Sequence, residues 1–200
     1  MRYVNWELNA LLRLALRCGS TITSLTLRIE AFRCGESADV LDRVLRALPG
    51  LTEVETWEGL GDETIAERSL IMDGVFFRAY DPNDPFLPNL ARLSMHTQQS
   101  DWLRDNMEDI KAMVESRRAA AVAGRATLQI LELDQQTNLW PDDSWQNGDA
   151  HSIAECRREY LLELDRHFEW MLDMRETGLN IQCNLLGEFV ALRPAKQQFR

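Results

Sequence analysis

The sequence of 200 residues predicts one α/β domain over residues 1–200, an irregular solenoid of parallel strands in chain order with its helices on one side. Three observations predict this fold. Four segments share the spacing apolar-x-x-apolar-x-apolar, helical stripes of apolar residues lie between them, and polar residues occupy alternate strand positions. The segments start at residues 22, 51, 90 and 128, so successive starts are 29, 39 and 38 residues apart. Such periods are typical of repeat architectures, in which each unit buries its apolar surface against its neighbours.

Each strand is predicted by the alternation of apolar and polar residues over the last four positions of its segment. The four segments are Ile22–Leu27, Leu51–Thr56, Leu90–Met95 and Leu128–Leu133. A fifth strand is predicted at Leu179–Cys183. The alternative fold is a doubly wound parallel sheet, whose strands are buried on both faces and consist of continuous apolar runs. Polar residues at alternate positions favour the solenoid, which leaves one sheet face exposed.

Helices are predicted where apolar residues recur three and four positions apart. The four apolar stripes are Leu8 to Ala15, Val40 to Leu48, Leu103 to Ala121 and Ile153 to Leu172. Gly19 suits the C-terminal cap of the first helix, and Ser37 and Pro49 suit the start and the stop of the second. A capping box at Ser152 and Glu155 predicts the start of the last helix.

Two segments are predicted to be long loops. Three prolines lie between Asp81 and Pro88, which excludes a helix there, and the stretch before them fits a helix only loosely. The second loop, Gln135 to Ala150, is polar but carries Trp140 and Trp145. These tryptophans form either a contact site or a small satellite core beneath the loop.

Composition limits the partners and the compartment. The chain carries 32 acidic and 22 basic residues, a formal charge of −10, which argues against duplex nucleic acid as a partner. No apolar run approaches 18 residues and the N-terminus does not resemble a secretory signal, so no membrane span is predicted. We expect a cytoplasmic or nuclear protein whose four cysteines (Cys18, Cys34, Cys156 and Cys183) are reduced core residues.

Four stretches of the chain together resemble a known family. They are Ser20–Leu27, Val44–Val54, Phe77–Leu90 and Met174–Gln182. The L-x-x-L-x-L spacing after a helix resembles a leucine-rich repeat, and the four stretches in this context resemble the repeat region of F-box proteins from mushroom-forming fungi. The resemblance implies a protein-binding module, the substrate-recognition part of an F-box ubiquitin-ligase receptor. A leucine-rich-repeat scaffold unrelated to ubiquitin is the alternative.

The sequence departs from that family in two respects. Classical repeats place Asn or Cys three residues past the last leucine, where this chain has Glu30, Gly59, Gln98 and Gln136. The turns after the strands are therefore expected to be irregular. No F-box precedes the repeats in this sequence, so the chain is a candidate C-terminal fragment of a longer F-box protein. The ubiquitin-ligase adaptor is expected as a partner only if an F-box lies upstream.

The common catalytic signatures are absent. No GxGxxG, GxxxxGK, GxSxG or HExxH motif occurs. Asp81, Asn83 and Asp84 carry oxygens suited to a hard cation, but the prolines around them interrupt the calcium-loop pattern. We therefore expect no enzyme activity, no cofactor and no metal, with an α/β enzyme of unknown activity as the less favoured alternative.

A binding site is predicted on the exposed, concave face of the sheet. The side chains predicted to bind a protein partner are Arg28, Glu53, Glu55, Trp57, Arg92, Ser94, His96, Glu132 and Asp134. Trp57, Arg92 and His96 would be neighbours on adjacent strands, and Trp and Arg are typical anchors of protein interfaces. The alternative for Trp57 is that it packs under the loop at 58–61.

The N-terminal end is predicted to expose apolar surface that promotes self-association. Residues 8–16 are apolar nearly all round, which suits a helix buried on both sides, and the first strand would be an open sheet edge. We therefore expect a preceding segment to cover this end, and the chain alone to self-associate through it.

Overall fold

The structure of the protein is a computed structural model. It describes residues 3–29, 36–58, 75–78, 80–81, 83–84, 86–97, 102–122, 128–135, 169–185 and 188–189. Within these ranges, residues 3–7, 28–29, 36–37, 58, 104, 121–122, 184–185 and 188–189 are described by their backbone alone. The predicted loop with Trp140 and Trp145, most of the last helix, Cys34 and Cys156 lie outside these ranges, as do Glu30, Gly59, Gln98 and Gln136.

A helix precedes the first, second, fourth and fifth strands of the described chain. The helices are α1 (Tyr3–Cys18), α2 (Glu36–Arg46), α3 (Trp102–Val122) and a helical segment at 169–176. The strands are β1 (Ser24–Ile29), β2 (Glu53–Glu58), β3 (Arg92–Thr97), β4 (Ile130–Gln135), β5 (Asn180–Leu185) and β6 (Glu188–Phe189). Each of the first four strands begins two residues after the start of its L-x-x-L-x-L segment.

The strands form one sheet in the order β1-β2-β3-β4-β5-β6. The first five are parallel, which confirms the predicted α/β fold with five parallel strands in chain order. The short strand β6, which the sequence did not predict, pairs antiparallel with β5. Among the described strands, each therefore pairs only with its neighbours in the chain.

The same backbone hydrogen bonds connect each unit to the next. The carbonyl of Thr23 accepts from the amides of Thr52 and Glu53, at 2.8 and 3.0 Å. The carbonyls of Thr52 and Ala91 accept in the same way from residues 91–92 and 129–130, and Gln129 accepts from Asn180. This ladder of carbonyls repeats although the connections between the strands differ in length.

The entry into β5 is one residue shorter than the entries into the first four strands, since β5 begins one residue after Leu179. Gly178 has a φ of 91°, and its amide donates to the carbonyl of Arg175 while the amide of Leu179 donates to that of Met174. These two bonds form a Schellman motif that ends the helical segment at 169–176. The turn at Gly178 leads directly into β5.

One face of the sheet packs on the helices in a single core. Its buried side chains include Leu27, Val54, Leu93, Leu131 and Ile181, one from each of the first five strands. They belong to the same core as the apolar stripes of the helices, among them Leu12, Leu41, Val44, Met107 and Ile110. Cys183 lies in this core as predicted, and burial raises the pKa of its thiol to about 12. Cys18 is exposed, so its prediction as a core residue is wrong.

Two predicted helix boundaries differ from the structure. Helix α2 begins at Glu36, so Ser37 lies inside it rather than at its N-cap. Gly19 does not have the positive φ of a C-terminal cap; it follows α1 directly and lies against the backbone of Ala47, the residue after the end of α2. Its lack of a side chain serves close packing of the two helices.

Arg117 fixes the connection that leads into β3. This arginine of α3 is only 1% exposed, and its two terminal nitrogens donate to the carbonyls of Leu87 and Phe86, at 3.0 and 3.1 Å. Burial lowers its pKa to about 10, which still leaves it charged at neutral pH. Leu87 has a φ of 46°, a conformation that favours glycine, and the bond from Arg117 holds its carbonyl there.

Two exposed arginines, Arg46 and Arg78, also contact the connection that leads into β3. Arg46 makes two hydrogen bonds to Asp84, at 2.6 and 2.9 Å, and a third to Asp42 at 2.9 Å. Arg78 also donates to Asp42, and both guanidinium groups lie over the ring of the buried Phe86. The oxygens of Asp84, considered above for a cation, are therefore used by Arg46, which lowers the pKa of Asp84.

Helix α1 has one buried and one exposed face. Leu8, Leu12 and Ala15 are buried, whereas Leu14 and Leu16 are 49% and 70% exposed. The predicted burial of residues 8–16 on both sides is therefore not seen among the described residues. Two large exposed leucines on one helix still leave apolar surface that a second molecule can cover.

We expect this surface to cause weak self-association. The double substitution Leu14→Glu, Leu16→Glu should lower the average mass seen by sedimentation equilibrium at high protein concentration, because it replaces apolar surface with charge. Ala112→Glu, Ala119→Glu on the exposed side of α3 is the matched control, since it adds the same charge elsewhere. A wild-type chain that stays monomeric at every concentration would contradict this expectation.

Candidate functional site

The second face of the sheet carries the predicted binding residues, and we call it the open face. The strand register aligns its residues in three rows across the sheet. The rows are Ser24, Glu53, Arg92, Ile130 and Asn180; Thr26, Glu55, Ser94, Glu132 and Gln182; and Arg28, Trp57, His96, Asp134 and Asn184. All nine predicted binding residues therefore occupy one face. The side chain of Arg28 lies outside the described part of the chain.

Trp57 and His96 form the aromatic centre of the open face. Their rings stack with centroids 3.9 Å apart and planes inclined by only 9°. The contact follows from the register, which places the two residues side by side on β2 and β3. Trp57 remains 38% exposed, so the stack fixes the indole while leaving part of it accessible to a partner.

Two carboxylates flank the ring of His96. Nδ1 of His96 lies 3.0 Å from an Oδ of Asp134, its neighbour on β4, and Nε2 lies 3.6 Å from an Oε of Glu55. The other oxygen of Glu55 accepts a hydrogen bond of 3.0 Å from the hydroxyl of Thr26. These contacts hold the imidazole from both sides and so restrict the orientation of the stacked indole.

Arg92, Ser94 and Glu132 form an ion-paired cluster beside the aromatic centre. One terminal nitrogen of Arg92 donates to both oxygens of Glu132, at 3.0 and 2.8 Å, and the hydroxyl of Ser94 donates to Glu132. Partial burial raises the pKa of Glu132, but the hydrogen bonds from Ser94 and Arg92 outweigh it and hold that pKa below its ordinary value. The bonds to Glu132 in turn raise the pKa of Arg92.

The predicted site residues differ in accessibility. Glu53 and Arg92 are exposed, and Glu55 and Glu132 are partly exposed. Ser94 is only 3% exposed, so it positions Glu132 and does not offer its own hydroxyl to a partner. The exposure of Trp57 favours the prediction that it is a surface residue over the alternative that it packs beneath a loop.

The structure adds residues that the sequence reasoning left out of the site. Asn180 and Gln182 of β5 extend two of the rows, and Asn180 is exposed. The segment at Leu179 is one residue shorter than the L-x-x-L-x-L segments, so the sequence did not show how β5 aligns with the other strands.

At the far end of the strands, the buried side-chain oxygen of Gln135 accepts a hydrogen bond of 3.2 Å from the backbone amide of Leu103. This bond satisfies one of the amides at the start of α3.

Among the described residues, no group of three or more His, Cys, Asp or Glu side chains could hold a metal ion. The amide of Asn83 donates to Asp81, which closes a local turn in that segment. No helix in the described ranges is long and apolar enough to cross a membrane. Comparisons with protein-family models, with curated proteins and with solved structures find no match to the chain.

The depressed pKa of Glu132 predicts a pH dependence of stability. The charged form of Glu132 stabilises the folded state at neutral pH, and this contribution is lost as the pH falls through the folded-state pKa. Glu132→Gln should therefore lower the melting temperature at pH 7, and the difference from wild type should shrink below about pH 4. We expect about 1 kcal/mol or less, since Arg92 is nearly half exposed and water screens the pair.

Thermal melts between pH 3 and pH 7 measure this difference. Glu115→Gln removes an equal charge from the exposed side of α3 and controls for net charge. If the melting temperatures of Glu132→Gln and wild type change in parallel with pH, the hydrogen bonds to the charged form of Glu132 do not stabilise the folded state, and the prediction is wrong.

Proposed function

We propose that the protein is a protein-binding module that uses its open face. The observation that carries the proposal is Trp57, which stays 38% exposed on a strand in the interior of the sheet while His96 holds it in place. A fixed, partly exposed tryptophan surrounded by ion-paired groups is typical of an interface anchor, because little conformational entropy is lost when it binds.

The repeat interpretation supports this proposal. Parallel strands in chain order, joined by a recurring ladder of carbonyls, are the features expected of an irregular leucine-rich-repeat-like solenoid. Solenoids of that kind expose one continuous sheet surface, and their extended faces are common binding surfaces. The open face has the dimensions of such a surface, five strands wide and three rows deep.

We also propose, as the resemblance to fungal F-box proteins implies, that the partner is a substrate of a ubiquitin ligase. This step requires an F-box encoded upstream of the segment. Co-purification of the full gene product with the ubiquitin-ligase adaptor tests it. If no adaptor binds, the proposal reduces to a repeat scaffold unrelated to ubiquitin.

Site-specific photo-crosslinking tests the binding face itself. A benzophenone side chain placed at Glu53 should crosslink a protein from an extract of the source cells, and the same group at Glu115 on α3 should not. The crosslink should weaken when Trp57→Ala is added, because the anchor is then missing. Equal crosslinking from both positions, or no effect of Trp57→Ala, would refute the open face as the binding surface.

A further inference from the structure

The charges of the open face are unevenly distributed. The described side chains of the face include four carboxylates, from Glu53, Glu55, Glu132 and Asp134, against the guanidinium group of Arg92. These described groups carry a formal charge of −3. Arg92 is neutralised within the face by Glu132, so it contributes little positive potential to an approaching partner.

The accessible negative charge lies along one strand. Glu53, Glu55 and Trp57 alternate along β2, and all three are exposed or partly exposed. Alternate residues of a strand are roughly 6.6 Å apart, so the three side chains form a strip with two carboxylates followed by an indole. An extended peptide places its own alternate side chains at the same interval.

We propose that the β2 strip, Glu53-Glu55-Trp57, binds an extended segment of a partner protein that carries two basic side chains at alternate positions and an apolar side chain two residues beyond. This inference rests on the proposed protein-binding function and specifies its partner. Charge complementarity selects the basic residues, and the exposed edge of Trp57 receives the apolar one. The carboxylate of Glu55 is already oriented for this by Thr26.

Peptide binding tests the proposal. The probe is a fluorescein-labelled ten-residue peptide with arginine at two alternate positions and leucine two residues further, in a glycine–serine background. Fluorescence anisotropy should show saturable binding that weakens as NaCl rises from 50 to 500 mM. A peptide with glutamate in place of both arginines should not bind, and one with the three residues adjacent to each other should bind several-fold more weakly.

Matched variants locate the binding. Glu53→Gln, Glu55→Gln should weaken binding of the arginine peptide about tenfold, since two exposed charge pairs are lost. Asp109→Asn, Glu115→Gln removes the same charge from the exposed side of α3 and should leave binding unchanged. Equal losses in both double variants would mean unspecific attraction to an acidic protein and would overturn the proposal.

Two further outcomes separate this inference from the proposed function. If the benzophenone at Glu53 crosslinks a partner through a segment without basic residues, the inference fails while the protein-binding function stands. If sedimentation shows a dimer that Glu53→Gln, Glu55→Gln dissociates, the strip belongs to a second copy of the chain, and the inference is overturned.

Discussion

Gly19→Ala is expected to destabilise the protein severely. A Cβ atom at this position would lie 1.9 Å from the carbonyl oxygen of Ala47 and 2.5 Å from that of Ala15. Both are backbone atoms, so no change of rotamer relieves the clash and α1 must move away from α2. We expect a loss of about 3 kcal/mol or more in the free energy of unfolding, at the upper end of overpacking effects.

Gly178→Ala is the control for this substitution. Gly178 has a φ of 91°, but apart from its chain neighbours no described residue has an atom within 4 Å of the place where its Cβ would be. Alanine there costs only the strain of a left-handed backbone, about 1–2 kcal/mol. Urea denaturation of both variants measures the difference. If Gly19→Ala costs no more than Gly178→Ala, the close approach of α1 and α2 is wrong.

The second large effect is expected at Trp102, the first residue of α3. Trp102 is 1% exposed and its ring contacts the ring of Phe77 at a centroid distance of 5.9 Å. Trp102→Ala should lower the free energy of unfolding by about 3–5 kcal/mol, because it leaves a large cavity in the core. Chemical denaturation followed by circular dichroism measures this loss.

Trp57→Ala is the matched substitution at the open face. It removes the stack on His96, which is worth about 0.5–1.5 kcal/mol, and leaves no internal cavity. The midpoint of unfolding should therefore move little, while crosslinking from the open face weakens. A loss as large as that of Trp102→Ala would identify Trp57 as a core residue and would remove the basis of the proposed binding site.

The periodicity of the sequence was sufficient to predict the sheet. Repeated L-x-x-L-x-L spacing placed four of the parallel strands, because each leucine position must return to the core when the chain completes one unit. The alternation of side chains then assigned Trp57 and Arg92 to the opposite face. These features depend only on local pattern, which a single sequence displays.

Contacts between segments that lie far apart in the chain could not be predicted from the sequence pattern. The bonds from Arg117 to the carbonyls of Phe86 and Leu87 join residues about 30 positions apart, and a lone arginine in a helix gives no sign of burial. Gly19 was interpreted as a cap because glycine is common there, whereas its use depends on where α2 passes. Similarly, no pattern separates the buried Ser94 from the exposed residues of its row.

The pairing of each strand only with its chain neighbours has a consequence for biosynthesis. Strands β1 and β2 can align as soon as residue 58 has left the ribosome, since their register needs nothing from later segments. Each following strand then pairs with a sheet edge that has already formed, where the carbonyl of Thr52, Ala91 or Gln129 accepts the hydrogen bond from its first residue. The nascent chain can therefore fold in the order of its synthesis, and at each stage only its newest strand edge awaits a partner.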